Sequence, residues 1–322
     1  MNRTYTDVIK FISAIAIFVH HFYLKNPAVT SLGFVACGVF FFFSAYGISK
    51  SLQHNPIRFG IFCKKRLLKI YMPLLLVNLI TLLLVSPICN DGNFGIPIFH
   101  VFCDNIIFLQ EYSILDVIQY LMGWKKMDSV TWFLDVLLVS YILIWGINQL
   151  KGSRSKNIAT IASYGVYIIC CAIFTPPIWY MVDVVGVMLG LLVAFNEKFF
   201  IAMFCNKSWL SWSMGVATIV LLFLLYFLHD HLLGRYAKPL WLLATVLSVL
   251  LVMQGAYQSK LGCHKIVTIL AGMSYFIYLI HVKVANMVNL AIGQSSFLLS
   301  LLLIMMTSYV LYILNLKIFR RK

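Results

Sequence analysis

Apolar runs long enough to cross a bilayer recur along this chain from its first residues to its last. That feature narrows the fold more than any other. Within hydrocarbon there is no water to bond backbone N–H and C=O groups, so only α-helices and closed β-barrels can span it. The runs are continuously apolar over about twenty residues, the helical signature, rather than alternating over about ten as barrel strands do. We therefore expect an all-α, polytopic membrane protein, a bundle of about ten transmembrane helices. The expected spans are 8–24, 32–49, 67–88, 130–150, 158–174, 178–195, 209–228, 239–257, 266–288 and 296–316. Composition agrees: only 11% of the 322 residues are charged, against about 25% in a soluble domain. The expected organisation is a single integral-membrane domain, 1–322, with no loop large enough to fold as a soluble catalytic domain.

The placement of charge orients the bundle. Most of the 25 Lys and Arg residues fall at the N-terminus, in alternate short loops and at the C-terminus, densest over 50–69 and 317–322. The positive-inside rule then puts both termini in the cytoplasm. The long segment 89–129 lies outside and is net acidic, with Asp91, Asp104, Glu111, Asp116 and Asp128 against Lys125 and Lys126. Its apolar part, 96–109, is too short to cross and suits a re-entrant or interfacial segment. The net charge of +15 is thus a topology signal, and no nucleic-acid partner is expected. The first run holds Lys10, His20 and His21 and lacks a small-residue cleavage site, so it reads as a retained span rather than a signal peptide. None of the 8 cysteines has metal-ligand spacing, and no metal is expected. Cys89 and Cys103 both fall in the external segment, where an oxidising compartment allows a disulfide between them.

Ionisable groups in a membrane helix are costly, which makes each a candidate for function. The stretch from Asp7 to Phe22, over the first span, carries Asp7, Lys10, His20 and His21. At 100° per residue, Lys10 and His21 differ by only about 20° and share a face, with Asp7 one turn before Lys10. His20 points about 80° away. The rise from Lys10 to His21 is about 16 Å, so one face offers a cation near the cytoplasm and an imidazole towards the outside. That imidazole can act as a general base near neutral pH, or simply lie at the headgroups.

Further candidates follow along the chain. Lys65, Arg66 and Lys69 open the third span, where they can hold phosphates or anchor to anionic lipid. Asp135 in the fourth span and Asp183 in the sixth are carboxylates expected to face the bundle or a polar cavity. The ninth span contains Gly272, Ser274, Tyr275, Tyr278 and His281, and for its hydroxyls and His281 the default role is interhelical hydrogen bonding. His229, Asp230 and His231 read as a surface feature.

In their order along the chain these residues resemble the membrane acyltransferase-3 family. Asp7, Lys10 and His21 match that family's opening Asp, Arg and His in spacing, with lysine for arginine. Phe40 to Tyr46, including Ser44, is similar to its Phe-rich second helix with a Ser-Gly-aromatic ending, with Ala45 for Gly. Lys65 to Pro73, KRLLKIYMP, resembles its basic third-helix motif, with Lys69 for Arg. Trp132 and Tyr141 match a Trp-led helix with a Tyr nine residues on. Gly272, Ser274, Tyr275, Ile277, Tyr278, Leu279 and His281 match its late G-x-S-Y-x-I-Y-L-x-H motif. Lysine keeps the charge of arginine but loses the bidentate fork. Leu137 stands where larger members carry a glutamate, and Asp135 is the residue available for that role.

The resemblance implies a membrane O-acyltransferase, most simply an O-acetyltransferase, of a bacterial multi-pass plasma-membrane type. The implied donor is cytoplasmic acyl-CoA, a substrate rather than a permanent cofactor, and the implied acceptor is a hydroxyl of a cell-surface or lipid-linked glycan. On this reading His21 and Asp135 are the catalytic pair, and Lys10, Lys65, Arg66 and Lys69 hold the donor. Asp7, Ser44, Trp132, Tyr141, Ser274, Tyr275 and His281 support them. General-base catalysis and a transient acyl-histidine both remain open. A transporter or flippase of a lipid-linked or acylated sugar is the alternative: it accounts for Asp135 and Asp183 equally, but less well for the first-helix face.

Overall fold

The structure, a computed structural model, describes residues 1–23, 27–90, 118–119, 121–122, 132–174, 179–205, 208–228, 237–292 and 294–319. Among the described residues it is all-helical, with no strand. The helices are α1 (Arg3–Phe22), α2 (Pro27–His54), α3 (Phe59–Asn90), α4 (Phe133–Gln149), α5 (Ser153–Phe174) and α6 (Trp179–Phe195). They continue with α7 (Glu197–Phe200), a π-helical turn (Ile201–Cys205), α8 (Ser208–Leu228), α9 (Ala237–Gln258), α10 (Lys265–Ile292) and α11 (Phe297–Phe319). Among the described residues, 6 helices qualify by length and composition as membrane spans, or 7 if the bent pair Asp183–Phe195 and Glu197–Cys205 counts as one. Cys103 of the candidate disulfide and His229 to His231 lie outside the described residues.

The chain divides into two compact units. The first comprises 1–59 and 135–271 and is built on α2, on which α1, α6, α8 and α9 all pack. A helix that is apolar all round belongs in the interior, and α2 has the largest buried share of any candidate span. Small residues let its neighbour approach. Gly186 of α6 lies directly against the Gly38 carbonyl, and a Cβ at Gly190 would sit 2.6 Å from the Phe42 carbonyl oxygen and 2.9 Å from the Ala45 Cβ. Without a hydrophobic driving force between helices in lipid, such close backbone contact is what holds them. Below the crossing, Val39, Phe42, Phe43, Val193, Val249, Met253 and Ala256 form one core, covered by Met1, Tyr5 and Ile9 of the N-terminal segment.

The second unit comprises 60–134 and 272–322. Pro73 lies within α3 and cannot donate to the carbonyl four residues back, which loosens the turn. At that turn Tyr275 Oη of α10 donates to the Ile70 carbonyl at 3.2 Å. A neighbouring helix thus bonds the backbone one residue from the carbonyl that the proline leaves without its N–H. Gly272 of α10 packs directly on the Tyr312 ring of α11.

Candidate active site

In the first unit, α1 turns its ionisable face inward. Ser13, Ala14, Ile17, Phe18 and His20 are buried, whereas Ile12 is 52% exposed. On a helical wheel the buried arc contains the directions of both Lys10 and His21, with Ile12 about 160° away from Lys10. Asp7 and Lys10 form an ion pair at 3.5 Å, and Arg3 approaches Asp7 at 3.9 Å. The aspartate therefore pairs with the lysine expected beside it.

The two histidines differ in surroundings. His20 is 7% exposed and packs over Gly33, its ring 5.3 Å from that of Phe34. His21 is half-buried, its ring edge-on to His20 at 4.7 Å. His20 is thus fixed in the helix packing, and His21 is the more accessible imidazole. Ser44 and Tyr141 are half-buried on α2 and α4.

The two membrane carboxylates part company. Asp183 is fully buried, as expected, and among the described residues neither of its oxygens has a hydrogen-bond partner. Asp135 is exposed, with Tyr180 Oη donating to it at 3.3 Å. Of the two surroundings expected for it, the bundle interior or a polar cavity, its exposure excludes the closed interior alone. α4 begins at Phe133, which puts Asp135 in the first turn, where the helix dipole favours an anion.

In the second unit the basic stretch, the Trp132-Phe133 start of α4 and the α10 motif converge. Lys65 and Lys69 are exposed and Arg66 is half-buried, its guanidinium 5.7 Å above the Phe62 ring. Tyr275 bonds the carbonyl next to Lys69, and Phe133 meets Tyr275 and Tyr278 edge-on at 6.1 Å and 4.5 Å. Trp132 is half-buried and Ser274 buried. His281 has no exposed surface, and its Nδ1 lies 2.8 Å from the Tyr278 carbonyl and 3.2 Å from that of Ile277. Carbonyls only accept, so Nδ1 is the donor there. The sequence assigns His281 a supporting role, and these bonds hold its ring in place.

A polar layer at the other end of the first unit escaped the motif reading. After α6 the chain bends by 100° at Asn196. Asn196 exchanges amide hydrogen bonds with Asn157 at 2.8 Å and 3.0 Å. The next residue, Glu197, accepts from Tyr46 Oη and Tyr257 Oη at 2.7 Å each and pairs with Lys50 at 2.6 Å. The available signal was an acid within an otherwise cationic loop. Burial alone would raise this carboxyl, but Lys50 and the two hydroxyls outweigh it and hold it at about 2, against an ordinary 4.5. A depressed folded-state value stabilises above the unfolded one and ceases to as pH falls through the folded one. The wild type is therefore expected to lose stability between about pH 4.5 and about 2, and Glu197→Gln to flatten that part of a melting-temperature profile in detergent.

Compared with known families, the chain matches the third acyltransferase family model, described as an acyltransferase domain, over residues 3–316, through both units. No curated protein and no solved structure matches.

Proposed function

The chain belongs to the acyltransferase-3 family, and from that premise we propose that this multi-pass membrane acyltransferase moves an acyl group, most simply acetyl, from cytoplasmic acyl-CoA to a hydroxyl of a cell-surface or lipid-linked glycan. The observation that carries this reading is the Asp7–Lys10 ion pair on the buried arc of α1, on the face that continues to His21 about 16 Å further on. That rise suits an extended pantetheine arm. About ten spans with both termini in the cytoplasm of a bacterial plasma membrane complete the reading, supported by the charge asymmetry of the loops.

In the proposed reaction Lys10, Lys65, Arg66 and Lys69 take up donor phosphates as charge-assisted partners. His21 removes the acceptor hydroxyl proton as its oxygen bonds to the acyl carbon, the carbon–sulfur bond breaks, and the departing thiolate ends protonated as CoA. If His21 instead attacks first, the acyl group rests on its ring nitrogen until the hydroxyl takes it. Asp135, exposed and bonded to Tyr180, remains a candidate partner through its charge. Purified protein given acetyl-labelled acetyl-CoA and a glycan acceptor is expected to release CoA and to label the acceptor. Acceptor-dependent transport without CoA release would instead establish the flippase reading. Mass spectrometry of surface glycans from cells with and without the protein then names the acyl group by its mass difference.

A further inference from the structure

A catalytic face that spans a bilayer functions only if its helix is held in register. A slip of one residue along the axis shifts α1 by about 1.5 Å, or turns its side chains by about 100°. The C-terminal end of α1 is seated by His20 over Gly33. At the N-terminal end, where Met1, Tyr5 and Ile9 pack on the core, the hydrogen bonds that leave the helix come from Asn2.

Each polar atom of Asn2 is engaged. Its Oδ1 accepts from the Tyr5 N–H at 3.0 Å, capping the helix, and its own carbonyl accepts from the Thr6 N–H at 3.1 Å. The remaining bonds leave the helix. The Asn2 N–H donates to the Ala256 carbonyl at 2.6 Å, and Nδ2 donates to the carbonyls of Ser259 and Leu261 at 3.2 Å and 3.0 Å. Ala256 is in the last turn of α9, where helical carbonyls lack partners of their own, and Ser259 and Leu261 follow just after the helix. Beside them Tyr5 packs against Gly255, leaving no room for a side chain there. A cap needs only Oδ1; three donations to the end of α9 and the residues after it go beyond capping.

We propose that Asn2 is a positioning residue that locks the register of α1 on the end of α9, and so sets where the Asp7–Lys10 pair and His21 stand. The proposal rests on the acyl-donor reading above. Serine caps as well as asparagine does, so Asn2→Ser keeps the cap, adds no charge and removes the Nδ2 donor pair. Asn2→Asp also keeps the cap but sets a carboxylate against two carbonyls.

The test is steady-state kinetics and equilibrium acetyl-CoA binding on the full-length protein in detergent, with Lys10→Ala alongside. Both Asn2 variants are expected to raise the donor KM and Kd about fivefold or more, the equivalent of one lost hydrogen bond, with kcat within about twofold and the melting temperature unchanged. A wild-type donor KM in a folded Asn2→Ser or Asn2→Asp protein, with Lys10→Ala raising it, overturns the lock and leaves the donor reading standing. A fall in kcat and melting temperature at unchanged KM also overturns it, because that is the signature of a tether that serves the fold alone. A donor KM that Lys10→Ala does not move removes the donor reading itself, and the lock with it.

Discussion

Replacing His21 by alanine is expected to lower acyl transfer by about 10²–10⁴-fold, the usual contribution of a positioned general base, in a protein that still folds. The structure makes this a sharp test because an internal control sits next to it. His20 is the buried imidazole, seated over Gly33 and against Phe34. His20→Ala empties that seat and is expected to cost about 1–3 kcal/mol of stability, with turnover per folded molecule changed only a few-fold. The two variants should therefore separate on two axes, His21→Ala on rate and His20→Ala on melting temperature. A pH–rate profile adds a third: the limb near neutrality should vanish in His21→Ala and persist in His20→Ala. Rate loss in His20→Ala with His21→Ala active would exchange their roles. Loss in neither would move the base to another imidazole, of which His281, its ring held at the Tyr278 carbonyl, is the next to test.

What could be read in advance follows from the physics involved. The stretches expected to span overlap helices of the structure, of which 6 or 7 among the described residues are long and apolar enough to cross, because apolar length is a local property and lipid penalises any break in backbone bonding. The inward face of α1 was legible for a related reason: ionisable residues at helical spacing must turn away from lipid. Exposure is less local: Asp135 lies in the first turn of α4 and is exposed, which the hydropathy of its neighbours does not show. The Glu197 cluster was not legible, since Tyr46, Lys50 and Tyr257 come to it from more than fifty residues away and no motif links them. Burial also separated His20 from His21, which spacing had ranked only by angle.

Gly186→Ala is the substitution expected to do most damage to the fold for the fewest atoms added. Packing in lipid depends on shape complementarity, since lipid chains are as apolar as the helices themselves. At Gly186 the backbone of α6 meets the Gly38 carbonyl of α2 with no space for a Cβ, and the obstacle is backbone, which cannot rotate aside. One methyl group must push two helices apart, and α2 is the helix on which α1, α8 and α9 also rest. Overpacking of this kind costs about 1–3 kcal/mol. A leucine there should prevent assembly, seen as loss of the monodisperse peak on size-exclusion chromatography. Gly215 of α8 supplies the contrast, because a Cβ there meets nothing within 4 Å. Gly215→Ala should be neutral or stabilise by up to about 1 kcal/mol through helix propensity alone. Equal melting temperatures for Gly186→Ala and Gly215→Ala would show that the α2–α6 crossing does not hold the unit together. A selective loss in Gly186→Ala, deepened by Gly190→Ala at the next contact along the same face, would place the stability of the first unit in that crossing.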